Sequence, residues 1–435
     1  MKKIGFTVVL TLLLLFLMPA RGIFEEAVGK GEGQTLSFQL NGYVRSALFL
    51  GRDFQKKGAE IKSGYAETSL KLRVKKQHLG DLFAEIRFRK GSENGEALSE
   101  TYLREAYVNA YIGPFDLRVG QQVVVWGRAD GFNPTDNITP KNLFARSAED
   151  DDKRESNFLF RSFINLHPVV IEAIWVPFFK ESPIPTTLFP LPPGITFAEP
   201  EFPGAKLRHS TAAVKFILEA ASFDCSISYF NGFSPFPGID ASSTAIFLRA
   251  YRMHVVGLDF STTMAGTLGL RGEMAYKKPL ENNSENNLYI PLPEFRYVIG
   301  VDREFFGKLS VILQYIGSYI FDFTELTEPK DPTDIPGYEL ARKNRLLHSQ
   351  QYKITHSISC TGELSLLHEI LKLEVSGLFN LISEELFLRS RMTYKIADAF
   401  NLTLGMDLYK GPDDTLFGLM DPHLSTVYAE LKASF

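Results

Sequence analysis

Hydrophobic and polar residues alternate with a period of two through most of this chain. The clearest stretch is the last one, HLSTVYAELKASF at 423–435. Val427, Ala429, Leu431, Ala433 and Phe435 share one face, while Thr426, Tyr428, Glu430, Lys432 and Ser434 share the other. In 400–408, Phe400, Leu402, Leu404, Met406 and Leu408 likewise oppose Asn401, Thr403, Gly405 and Asp407. Successive side chains of a strand point to opposite faces, so this rhythm predicts strands with one apolar and one polar side. Soluble antiparallel sheets show it too. Length separates the cases, because membrane-crossing strands need about 9–11 residues and ordinary strands have about 5–6.

About eighteen such runs follow one another, and errors at their ends allow 16 to 20. They cover 34–50, 64–77, 80–90, 100–112, 114–127, 156–166, 168–179, 209–219, 221–231, 246–260, 263–277, 292–303, 308–321, 347–360, 369–380, 386–396, 399–410 and 423–435. Tight links alternate with long ones at 51–63, 91–99, 128–155, 180–208, 232–245, 278–291, 322–346 and 411–422, and 381–385 is short for its class. The expected fold is all-β, a transmembrane antiparallel up-and-down barrel with short periplasmic turns, longer extracellular loops and both termini on the periplasmic side. Closure follows from solvation. Each unpaired backbone group in hydrocarbon costs several kcal/mol, so the first strand should pair with the last.

Composition narrows the class further. The 435 residues carry 47 Lys+Arg against 51 Asp+Glu, which leaves no basic surplus for nucleic acid. Two Cys rule out a disulfide scaffold and a Cys-rich metal site. Cys225 and Cys360 fall on outward faces of non-neighbouring strands, where they act as small hydrophobes. Residues 1–22 pair Lys2 and Lys3 with the apolar Ile4–Met18 and the helix breaker Pro19, which is the pattern of a cleaved secretory signal peptide. That leaves 23–435 as a single barrel domain.

The signal peptide, the repeated dyads and the terminal Phe435 together resemble Gram-negative outer-membrane barrels of the porin-like class. The segment VGQQVVVWGRADGFNPTDNITP at 119–140 is similar to a motif of uncharacterised porin-like families. The resemblance implies a channel in the bacterial outer membrane, in contact with its lipid and inserted by the barrel insertion machinery through the last strand. It leaves a homotrimer open. It also implies that a long third extracellular loop folds inward to narrow the pore, and 128–155 stands in that position. This loop holds Arg128, Asp130, Asp136 and Arg146. A solvent-facing lid and an oxygen-ligand Ca²⁺ site, using Asp130, Asn133, Asp136 and 150–152, are the alternatives.

The polar faces should line the lumen. They carry Arg45, Lys71, Arg73, Glu85, Arg87, Glu105, Arg118, Arg161, Glu172, Arg271, Glu273, Arg296, Asp302, Lys372, Glu374, Arg389, Arg391, Asp407, Glu430 and Lys432. This set favours cations on the wall. Two readings compete: a water-filled, mildly anion-favouring pore, or a salt-bridge lattice that stiffens and closes the lumen. The loop 180–208 is apolar with seven prolines. It could cap the mouth, bind a hydrophobic solute or lipid tail, or meet a partner protein.

No His pair has ligand spacing and no nucleophile elbow or phosphate-binding glycine loop occurs, so no enzyme activity, metal or cofactor is expected. The function expected is passive diffusion of small hydrophilic, anion-biased solutes. The alternative is an outer-membrane conduit for hydrophobic or lipid substrates that serves an export assembly.

Overall fold

The computed structural model describes residues 36–53, 58–76, 79–184, 196–242, 245–264 and 266–435. The segment 1–22, His78 and the middle of the Pro-rich loop (185–195) lie outside them.

Eighteen strands form one antiparallel sheet. The first half comprises β1 (Leu36–Asp53), β2 (Gly58–Lys76), β3 (Gly80–Glu93), β4 (Glu96–Ile112), β5 (Phe115–Gln122), β6 (Asn157–Leu166), β7 (Val169–Val176), β8 (Thr211–Glu219) and β9 (Phe223–Phe233). The second half comprises β10 (Arg252–Met264), β11 (Leu268–Pro279), β12 (Glu294–Phe305), β13 (Leu309–Ile320), β14 (Ile354–Leu366), β15 (Leu371–Asn380), β16 (Leu386–Ala397), β17 (Phe400–Lys410) and β18 (Thr426–Ser434). Each pairs with the next in sequence, and β1 pairs with β18 from Tyr43↔Ser434 to Gly51↔Thr426. The barrel is therefore closed. The seam runs to the final residue, because Gly42 and Phe435 exchange both backbone hydrogen bonds at 2.9 and 3.0 Å. A Cβ on Gly42 would sit 2.6 Å from the Phe435 ring, so glycine lets the terminal aromatic lie against the wall.

The register sorts the faces. Arg45 opposes Glu67 on β2 and Lys432 on β18, all turned inward. Outward lie Val44, Leu48, Phe160, Trp175, Ile227, Val256, Ile299, Val375 and Val427, every one of them exposed. A continuous apolar outer surface of this kind is stable only against hydrocarbon. Aromatic rings gather on this face near the long-link end: Trp175 against Phe160 at 5.0 Å and Tyr319 against Phe321 at 4.9 Å. Among the described residues no helix is long and apolar enough to cross a membrane. Cys225 (β9) and Cys360 (β14) are both free.

Five segments differ from the sequence expectation. The links expected at 51–63 and 91–99 are largely strand, since β1–β2 and β3–β4 continue as long hairpins past the level of their neighbours. The run 114–127 stops being strand at Gln122, where the chain leaves the wall. The run 246–260 splits: residues 245–249 join 238–241 and 196–197 in a small separate sheet above the barrel, and β10 begins only at Arg252. The run 347–360 starts late, at Ile354, because Ile335–Leu347 is a helix, α1. A second helix, α2 (Leu416–Leu424), closes the last long link.

The small sheet and α1 form a cap. Ile184, Ile239, Leu248 and Leu347 pack together with Phe202, Phe236, Ile246 and Leu340. Asn344 of α1 clamps it, accepting from the Ile239 N–H at 2.8 Å and donating to the Ile239 carbonyl at 2.7 Å. Ile184 and Phe202 of the Pro-rich loop are thus used in packing at the barrel mouth.

Candidate functional site: a tethered loop in the lumen

Residues 123–156, between β5 and β6, carry contacts to strands from both sides of the barrel. The loop begins with an apolar stretch that the two-residue rhythm had assigned to a strand. Val124, Trp126 and Ile138 pack on the inward residues Ile174, Val176, Ala213, Phe230, Val255 and Ala275. These belong to β7–β11, so this part of the inner wall is greasy and the start of the loop covers it. Trp126 Nε1 donates to Glu172 at 3.1 Å, which gives the buried indole its partner.

The next part of the loop docks through donors. Glu273 of β11, 1% exposed, accepts from the backbone N–H groups of Arg128 (3.1 Å), Ala129 (3.3 Å) and Thr135 (2.8 Å). The Thr135 hydroxyl (2.8 Å) and Asn133 Nδ2 (3.3 Å) complete the set. Asp259 of β10 takes Arg128 Nε at 2.7 Å and Lys215 at 2.8 Å, besides the Ser226 hydroxyl. Two glycines make the fit. At Gly127 (φ +99°) a Cβ would meet Glu273, and at Gly257 one would lie 2.6 Å from Thr135 Cγ2. Gln314 of β13 can pair its side-chain amide with the Asp130 backbone N–H and carbonyl at 3.0 and 2.6 Å. Arg271 reaches the Arg128 carbonyl at 3.3 Å while paired to Asp302 at 2.6 Å.

The last part of the loop docks through acceptors. Asp152 pairs with Arg45 at 2.8 Å and Arg87 at 2.5 Å. Arg45 also holds Glu67 at 2.6 Å, and Arg89 holds the other oxygen of Glu67 at 2.6 Å. Arg389 joins Asp407 (2.7 Å) and Asp150. Arg391 donates to the Ala148 carbonyl at 2.6 Å and to Glu374 at 2.7 Å. Arg104 donates to the Asp151 and Arg154 carbonyls. Just before this acceptor stretch the roles are reversed, and Arg146 of the loop donates to Glu93 at 3.1 Å and to the His423 carbonyl at 2.5 Å. Burial alone would raise the Asp152 carboxyl, but the guanidiniums of Arg45 and Arg87 outweigh it and hold it well below the usual carboxylate range. Between the two ends Asp136 ties the loop to itself, with Arg154 at 2.5 Å and Lys141 at 2.9 Å.

Arg45, Arg87, Arg389 and Arg391 thus gather around one end of the loop, and Arg128 and Arg271 around the other. Arg161 pairs with Glu172 at 2.6 Å, and Arg296 with Glu294 at 2.7 Å and the His348 carbonyl at 2.8 Å. Arg73 and Arg118 lie nearer the tight-turn end. Arg73 stands over the Phe83 ring at 5.3 Å, while Arg118 donates to Asn109 at 2.6 Å and covers the Tyr107 ring at 4.3 Å. Of the acidic residues considered for Ca²⁺, Asp136, Asp150, Asp151 and Asp152 are each paired with an arginine, and no cluster able to hold a metal occurs among the described residues. Arg104 was invisible to the dyad reading. A bulge between its two neighbours pairs Glu85 with Glu105 and Ile86 with Leu103, leaving Arg104 as the extra residue. Glu67, Arg89 and Asp259 share the inward parity of their strands, and a full count of those faces would have found them.

No protein-family model matches the chain, and no curated protein matches it in sequence. Among solved structures, Acinetobacter baumannii OccAB3 is 10% identical, with 92% of this chain and 99% of that one covered at a TM-score of 0.54. OccAB4 of the same organism gives 10%, 93%, 100% and 0.54. Pseudomonas aeruginosa OpdL gives 10%, 92%, 98% and 0.54. The closed eighteen-stranded barrel with an apolar exterior is the fold of the outer-membrane porins. At this identity the likeness concerns the fold.

Proposed function

We propose that this protein is a bacterial outer-membrane channel through which small hydrophilic solutes diffuse, with a preference for anions, and that residues 123–156 form its constriction. The observation that carries the reading is the loop itself, fixed to strands on both sides of a barrel whose outer surface is apolar. A segment held at both flanks across a lumen narrows the path without sealing it by hydrophobic packing. Selectivity then comes from size and from the charges beside the loop. Of the residues expected to line the lumen, Arg45, Arg87, Asp136, Arg146, Glu172 and Arg389 are buried and serve to hold the loop and the wall; those taken as lining the path are Arg73, Arg118, Arg128, Asp130, Arg161, Arg271, Arg296 and Arg391. Of these, Arg73 and Arg118 supply the anion preference, because among the described residues neither makes a direct ion pair, Asp81 acting on both only at longer range. The salt-bridge lattice expected as a rival is present as well, and it serves as the loop's anchorage.

Support for a hydrophobic or lipid conduit came from the Pro-rich loop, of which Ile184 and Phe202 pack into the cap. The polar-path reading is therefore the better supported one. Residues 1–22 would direct export, and the strand ending at Phe435 would guide insertion. Planar-bilayer recording of the purified protein tests the proposal. Discrete conductance steps with a reversal potential displaced toward the anion are expected, and a bilayer that stays silent at high protein load overturns it.

A further inference from the structure

We propose that the outer rim over β8–β11, at the long-link end, is a docking site for a phosphorylated lipid of the surrounding membrane leaflet. The inference rests on the reading of the barrel as membrane-embedded and is independent of whether it conducts. Arg252, the first residue of β10, faces outward and is built into the wall. Its guanidinium donates to Asn231 Oδ1 (3.0 Å) and to the carbonyls of Arg208 (2.7 Å) and Ser210 (3.3 Å), and it lies 5.7 Å from the Phe233 ring. All three acceptors are neutral, so these bonds position the charge without cancelling it. His254, two residues on, shares the outward face and hydrogen-bonds Tyr229 at 2.7 Å. Lys278 of β11 is its register partner and is exposed. Arg208 lies in the turn before β8 beside Leu207, which is 80% exposed.

Among the described residues no carboxylate pairs with Arg208, Arg252 or Lys278. Glu201, the nearest acid along the adjoining turn, is engaged by Arg249 at 3.5 Å on the cap side. Below the rim the same face turns apolar at Ile227, Val256 and Met274, all exposed. Cations above an apolar slope match an amphiphile with its phosphate up and its acyl chains down. Guanidinium is suited to phosphate oxygens, and each Lys or Arg near a membrane surface contributes about 1 kcal/mol toward an anionic lipid.

Native mass spectrometry of the detergent-purified protein tests the site, using diphosphoryl lipid A, its dephosphorylated counterpart and inorganic phosphate as probes. The diphosphoryl form is expected to bind selectively. Affinity should fall about fivefold per cation removed, hence about a hundredfold in Arg208→Ala/Arg252→Ala/Lys278→Ala. Arg208→Ala/Lys278→Ala leaves the packing of Arg252 intact, and its strand circular dichroism must match the parent. Equal retention of the dephosphorylated lipid, undiminished binding by both variants, or full competition by inorganic phosphate would overturn the proposal. Failure of the parent to insert into vesicles would instead overturn the membrane reading.

Discussion

The two ends of the lumen loop are held by opposite chemistries. At Gly127–Thr135 the wall supplies carboxylates and the loop supplies donors, most of them backbone N–H groups converging on Glu273. At Ala148–Arg154 the wall supplies guanidiniums and the loop supplies Asp150, Asp152 and backbone carbonyls. A carboxylate caged by backbone N–H groups admits one loop conformation. A field of arginines tolerates several, because each guanidinium offers five donors. The first end therefore fixes the shape of the loop, and the second fixes its position and sets the sign of the charge beside the path.

Glu273→Ala should break the contrast most. It leaves five donors of the loop without their acceptor, at about 1–3 kcal/mol for each that stays buried. The loop should leave that wall, with larger and noisier conductance steps in planar bilayers. Asp152→Asn should act less on the loop, by about 1.5–3 kcal/mol, because Arg45 retains Glu67 and Arg87 retains Glu85 at 2.6 Å. Its clearer signature is a reversal potential displaced further toward the anion, since two guanidiniums lose a counter-charge. A pH titration probes the same carboxylate. The Asp152 carboxyl is lower in the folded state than its unfolded value of about 3.9, so its contribution is complete above about 3.9 and is lost as pH falls through the lower folded value. Current noise should accordingly stay flat from pH 7 to about 4 and rise only in stronger acid. The smallest effect belongs to Arg73→Ala/Arg118→Ala, which touches neither anchor. Conductance should stay within about a factor of two while anion preference declines, by the roughly 1 kcal/mol or less expected of exposed charges. Unchanged reversal potentials would remove these two residues from the selectivity account.

Much of the barrel could be read from the chain because a lipid-facing wall forces strict alternation. In β18 every second residue from Val427 to Phe435 must meet hydrocarbon, and nothing in water competes with that demand. Legibility failed where side chains answer to something other than the bilayer. The sequence VVVW at 123–126 looks like wall, yet Val124 and Trp126 cover an inner apolar patch formed by β7–β11. The cap strands at 245–249 were merged with β10 because both alternate. Residue parity identified Arg45, Arg87 and Arg389 as inward, but pairing them with Asp150 and Asp152 needed the path of a loop that parity does not describe. Arg104 escaped because a single extra residue in β4 reverses the count.

The position of the loop is tested most directly by a cross-link. A Cβ on Gly257 would stand 3.3 Å from Thr135 Cβ, close to the separation a disulfide spans. Thr135→Cys/Gly257→Cys, with Cys225 and Cys360 changed to Ala, should oxidise readily. Its single-channel conductance should be the same oxidised and reduced, because the bond locks the loop where it already lies. Absence of the cross-link, or a conductance that changes sharply when it forms, would contradict a constriction held at the β10–β11 wall.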